Sequence, residues 1–183
     1  MSKIVGITGS IANPSRTRAL VESILKEASQ QAHCKVDLID IAELAPVLGP
    51  TVAFNQIPEA LQAAYRKLAE ADLIVIGSPV YKASYTGLLK HFFDLLDPKQ
   101  LNSKVAILAA TGGSDHHALV LEHQLRPLAS FFGLVSVPTA IYARDSEFID
   151  YQLHSETISS RVEIAVNQAL ALLGKSESVA LAA

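Results

Sequence analysis

Residues 4–18 read Ile-Val-Gly-Ile-Thr-Gly-Ser-Ile-Ala-Asn-Pro-Ser-Arg-Thr-Arg, and their order predicts how the chain begins to fold. Ile4 to Thr8 is a short apolar, β-branched run, the mark of a strand buried on both faces. Gly9 breaks the run, small hydroxyl residues and Arg16 follow, and a helix resumes from about Pro14 or Ser15. In such a strand–loop–helix the N–H groups at the helix start face the loop, and the helix dipole favours negative charge there. The stretch is read as a pocket for a phosphate. Its donors are Ser10, Ser15, Arg16 and Thr17, while Gly9 lets the backbone turn tightly. Neither Gly-x-x-x-x-Gly-Lys-Ser/Thr nor Gly-x-Gly-x-x-Gly is present, which favours a single phosphate monoester over a magnesium nucleotide or a pyrophosphate. A competing reading, in which Ser and Thr only cap the helix, uses the same atoms.

Outward from this stretch, apolar strands alternate with amphipathic helices. Leu20, Val21, Ile24, Leu25 and Ala28 repeat at helical spacing, and Cys34 to Asp40 alternates as an edge strand would. Residues 41–57 contain Pro46, Gly49 and Pro50 without a clean period and predict a long connection. Pro58 opens a helix to about Ala71, Asp72 to Ser78 is a second buried strand, and Gly87 to Leu96 is a helix. Lys104 to Ala110 is a third buried strand, followed by a helix from about Asp115 to Phe132. Leu134 to Tyr142, broken by Pro138, is placed at the other edge, and Phe148 to Leu173 is mostly helix. Five strands alternating with five helices predict one α/β domain over 1–174, a doubly wound parallel sheet of order 2-1-3-4-5, and a frayed tail over 175–183. Ligands of such sheets sit outside the carboxyl ends of the strands, where the strand order reverses.

Composition narrows the function. Half the residues are apolar, and 15 basic against 18 acidic residues leave a charge of -3, which argues against a nucleic-acid surface. The one cysteine, Cys34, cannot form an intrachain disulfide, and with no signal or membrane-spanning pattern the expectation is a cytoplasmic protein. No set of His, Cys and carboxylates has metal-ligand spacing, so no metal is expected. Cys34 itself is read as structural.

Two further loops leave the same rim. Ser78-Pro79-Val80-Tyr81-Lys82 stiffens its strand exit with Pro79 and offers a flat aromatic face and a cation. Thr111-Gly112-Gly113-Ser114 exposes main-chain N–H groups and lets a flat ring approach. The second loop alone is as readily an ordinary surface loop, and the third alone more readily a bare strand-to-helix turn; three at one rim shift the balance towards a ligand.

These motifs carry a resemblance. Gly9-Ser10 with Ser15-Arg16, Ser78-Pro79-Val80-Tyr81 with Gly87-x-x-Lys90-x-x-x-Asp94, and Ala110-Thr111-Gly112-Gly113 resemble the NAD(P)H-dependent FMN reductase family of flavodoxin-like fold, from Lys3 to about Leu173. Within it, Ala109 to Ser114 and Glu122 to Leu128 most resemble the flavin reductases of bacterial two-component alkanesulfonate and methanesulfonate monooxygenases. The resemblance implies FMN and NADH or NADPH as the nucleotides. Ser10, Ser15, Arg16 and Thr17 would hold the FMN phosphate, and Pro79, Val80, Tyr81 and Lys82 would line the ribityl chain and ring. Thr111, Gly112 and Gly113 would meet the isoalloxazine edge. Hydride transfer would proceed by positioning, with no catalytic side chain, and reduced FMN would pass to a partner monooxygenase. In the alkanesulfonate reductases a tyrosine inserted in the fourth helix makes a π-bulge at the subunit interface; the matching position here is His123, where a π-bulge is expected. The helix from Gly87 is apolar on more than one face, which predicts a homodimer or homotetramer. Two other classes share the fold: an FMN-retaining quinone or azo reductase, and a flavodoxin-like electron carrier.

Overall fold

The apolar run at the start of the chain becomes β1, Ile4–Thr8, with all five residues buried. The structure, a computed structural model, describes residues 2–180, with side chains to residue 174. The helix α1, Arg16–Ala32, follows, then β2, Val36–Asp40, at the sheet edge. Four more segments complete the central scaffold: α3 (Glu59–Glu70), β3 (Leu73–Pro79), α4 (Gly87–Asp94) and β4 (Val105–Gly112), the first of these preceded by α2, Ile41–Leu48. The strands run parallel in the order β2-β1-β3-β4-β5, with β5 at Val135–Ser136, as expected.

Successive side chains of a strand point to opposite faces, and two apolar layers result. Val5, Ile7, Ile74, Ile76 and Leu108 pack under α2, α3 and α4. Ile4, Leu73, Val75, Ile107 and Ala109 pack under α1 and the C-terminal helix α6, Glu156–Ala180. A Cβ at Gly77 would collide with the Val21 side chain, so α1 lies this close to β3 because glycine stands there.

The structure departs from the sequence reading in four places. Residues 41–48, expected as part of a connection, form α2: Asp40 caps it by accepting from Ala42 N at 2.9 Å, and Pro46 is accommodated within its short span. The fifth strand is split. β5, Val135–Ser136, pairs with the start of β4, and β6, Ile141–Arg144, with its end; Pro138 between them has no N–H to give to the ladder. The helix expected over 115–132 is a 3-10 turn (Asp115–His117), a π-helical turn (Leu121–Leu125) and then α5 (Arg126–Phe131). A small hairpin, β7 (Phe148–Ile149) with β8 (Gln152–Leu153), replaces the start of the last helix. Of the expected frayed tail, residues 181–183 and the side chains from 175 lie outside the described residues. No helix of the described residues is long and apolar enough to cross a membrane.

Candidate active site

β1 and β3 are neighbours at the point where the strand order reverses, and the loops after β1, β3 and β4 meet there. Gly9 N donates to Gly77 O at 2.7 Å, and Val80 N to Thr111 O at 2.8 Å, so the three loops are stitched side by side. Between them lies a cleft of about 250 Å³. Ser10, Ser15, Arg16, Thr17, Pro79, Val80, Tyr81, Thr111, Gly112 and Gly113 all line it. Of the residues singled out on these loops, Lys82 stands outside. Tyr81 and Ser84 exchange main-chain hydrogen bonds of 2.8 and 3.1 Å, and Lys82 and Ala83 form the exposed tip of that turn with φ of 50° and 67°.

The hydroxyls of the first loop divide their work. Ser15 caps α1, its Oγ accepting from Arg18 N at 3.2 Å. A hydroxyl that accepts still has its proton to donate, so the cap and an anion use different capacities of one atom. The Arg16 and Thr17 N–H groups, in the first turn, have no intrahelical acceptor. Ser10 turns inward: it is 3% exposed, and its Oγ donates to Ala12 O and accepts from Ala12 N, each at 3.2 Å. Ser10 therefore shapes the loop. Thr17 Oγ1 lies 2.6 Å from Thr111 Oγ1 in the buried floor, and it can donate to a ligand only while accepting from Thr111.

Two residues brace the second loop from behind. Thr86 Oγ1 donates to Gly9 O at 2.6 Å and caps α4, and Thr86 N donates to Ser78 Oγ at 3.2 Å. In the third loop the glycines differ. A Cβ at Gly112 would collide with the Tyr142 hydroxyl, which donates to Ser114 O at 2.6 Å; that glycine serves packing. A Cβ at Gly113 would meet only Asp145 Oδ2, at 3.7 Å, so on this side of the cleft Gly113 has room where Gly112 has none.

Asp145 and Tyr151 also line the cleft. Sequence reasoning missed both: Asp145 lies in the gap left between the last strand and the last helix, and Tyr151 on a hairpin read as helix; the Arg144-Asp145 pair after the last strand was the available signal.

The donor set suits a phosphate monoester carried on a flat ring. Nε of Arg16 is buried without a hydrogen-bond partner, the first turn of α1 offers free N–H groups, and the Gly113 side is open. Such a cleft at the switch point of a 2-1-3-4-5 sheet is that of a flavodoxin-like α/β protein. Comparison with known proteins narrows the class. The family model described as NADPH-dependent FMN reductase matches residues 2–148, and the chain belongs to that family. It is 42% identical over 181 residues to an FMN reductase (NADPH) of Pseudomonas aeruginosa, covering 98% of this chain and 97% of that protein. It is also 42% identical to the NADH-dependent FMN reductase SfnF of Pseudomonas fluorescens, covering 94% and 92%. An oxidoreductase from Corynebacterium diphtheriae superposes with a TM-score of 0.87 at 33% identity, covering 96% of this chain and 98% of that one.

Away from the cleft, the π-helical turn Leu121–Leu125 contains His123. The Glu122 carboxylate takes two hydrogen bonds from Arg126, at 2.6 and 2.9 Å, and this hold keeps its pKa below the ordinary carboxylate value. Arg126 Nη1 also donates to Ser136 Oγ (2.8 Å) and Val137 O (3.1 Å), tying the turn to the broken fifth strand. His123, Gln124, Phe93 and Phe131 line an apolar groove of about 780 Å³.

Proposed function

We propose that the cleft holds FMN for reduction by NADH or NADPH. Ser15, Arg16 and Thr17 receive the phosphate on the loop that Ser10 shapes, Pro79, Val80 and Tyr81 flank the ribityl chain and ring, and Thr111, Gly112 and Gly113 face the ring edge. The observation that carries this is the buried, unpartnered Nε of Arg16 in the same cleft as the open face of Gly113. FMN, when bound, supplies the ring that accepts the hydride. The chain's own residues bind and orient. Main-chain N–H groups of the Gly112–Gly113 turn place donors where negative charge develops, and no side chain has to take or give a proton.

The reduced flavin goes to a separate flavin-dependent monooxygenase of the sulfonate-desulfonating type. Similarity to SfnF and the run Glu122 to Leu128 support this. A cytoplasmic setting fits the single unpaired thiol. The test is NAD(P)H oxidation by the purified protein, with and without added FMN. Turnover that appears only with added FMN supports a diffusible flavin. Yellow protein that reduces a quinone unaided supports the FMN-retaining reductase instead.

Assembly with further copies of the chain belongs to the same reading, but its support has moved. Leu89, Phe92 and Phe93 of α4 are buried within the chain, so that helix has no spare apolar face. The groove beside it, with His123 and an outlying Phe131 that is 71% exposed, takes over that part. Light scattering on the protein and on Phe131→Glu tests it: the variant should run as a smaller species.

A further inference from the structure

Arg16 has two neighbours from the hairpin side of the cleft. Its Nη1 faces Asp145 Oδ1 at 3.8 Å, beyond hydrogen-bond length, and its guanidinium carbon stands 5.0 Å over the Tyr151 ring. A guanidinium is a rigid fork of five donors that suits a close oxyanion. Here it has a carboxylate at ion-pair distance but beyond hydrogen-bond length, and an aromatic face, while its Nε is buried and unpartnered.

The chain goes out of its way to arrange this. Asp150 and Tyr151 form the two-residue turn between β7 and β8 with φ of 47° and 61°. Such turns prefer Asn-Gly, and a tyrosine in the left-handed region is uncommon. Conformations of that kind persist where the surroundings over-determine them. What this one achieves is to bring the Tyr151 ring to Arg16.

We propose that Asp145 is a built-in competitor for Arg16, holding the guanidinium against the incoming phosphate monoester and so keeping FMN affinity low enough for the flavin to leave. The proposal rests on the assignment of Arg16 to the FMN phosphate. Asp145 acts through Arg16 and is a positioning residue. When Arg16 turns to a phosphate it gives up this part-exposed pair with Asp145, and that loss is set against each binding event.

The variant Asp145→Asn tests it without disturbing the turn, whose hydrogen bonds run through the Asp145 carbonyl and the Glu147 carboxylate. FMN and riboflavin are titrated in parallel; riboflavin has the ring and ribityl chain but no phosphate. Asp145→Asn should bind FMN about two- to fivefold more tightly, the range open to part-exposed ion pairs. Riboflavin affinity should not move. The gain should shrink in about 0.5 M salt and vanish in an Arg16→Ala background. An equal shift for both flavins, no shift for FMN, or a gain that survives Arg16→Ala overturns the proposal. Failure of the underlying site reading looks different: Arg16→Ala would then leave the ratio of FMN to riboflavin affinity unchanged.

Discussion

The hydroxyls of Thr17 and Thr111 meet at 2.6 Å, joining the first turn of α1 to the end of β4 beneath the cleft. The two residues are 94 apart in sequence and 2% and 3% exposed. Their contact holds the first and third loops at a set spacing.

Replacing one of the pair should cost more than replacing both. Thr17→Val or Thr111→Val leaves a buried hydroxyl unpaired, at about 1–3 kcal/mol, whereas removing both partners is close to neutral. Urea unfolding of the two single variants and the double variant measures this. A double variant as unstable as the sum of the singles would mean the hydroxyls do not act as a pair.

The two glycines of the third loop should separate by readout. Gly112→Ala pushes the Tyr142 hydroxyl off Ser114 O and should lower Tm. Gly113→Ala meets ordinary van der Waals space and should leave Tm nearly alone, while raising KM for FMN. Thermal melts and steady-state kinetics on both variants decide it; matched behaviour would remove the distinction.

Arg18 anchors a corner of the fold. It donates to Asp40 at 2.7 Å, and Asp40, 7% exposed, also caps α2. Arg18→Ala strands a buried carboxylate and should cost about 3 kcal/mol. Asp40→Asn, which keeps the acceptor for Ala42 N, should cost less. Chemical denaturation of both variants gives the comparison.

Stability near the π-helical turn should depend on acid in one direction. The bond from Arg126 holds the Glu122 carboxyl below its ordinary value of 4.5. A carboxylate with a depressed folded pKa contributes stability above its unfolded pKa and loses it as pH falls through the folded value. The wild type should therefore melt above Glu122→Gln at pH 7, and the gap should close below about pH 4.5. A gap that widens in acid would reverse the sign. Because Glu122 is half exposed, the effect is modest.

Cys34 should be inert in the native protein. Burial pushes its thiol pKa up, so little thiolate is present at neutral pH. A chromogenic thiol reagent should label it slowly in buffer and at once in denaturant.

What could be read directly from the chain was local and periodic. The apolar run at Ile4, the 3.6-residue repeat from Leu20 and the breaks at Gly9, Pro79 and Gly112 each state their structure within a few residues. Strands and helices in strict alternation then allow few topologies. For the same reason all but one of the residues singled out on the three loops came together, since strand ends in a parallel sheet share one rim. Lys82 was the exception, because a tight turn between Tyr81 and Ser84 carries it away.

Tertiary structure alone decided the rest. Residues 41–48 are helical because Asp40 caps them and α4 covers them, against the local signals of Pro46 and Gly49. Gly112 is a packing glycine only because Tyr142, 30 residues on, reaches back to Ser114. Asp145 enters the cleft from the short turn before the hairpin, and Tyr151 from a hairpin turn with no Asn-Gly signature. Local preferences are set by a residue and its near neighbours in sequence; contacts such as Arg16 with Tyr151 depend on how distant segments pack, and no short window of the chain contains them.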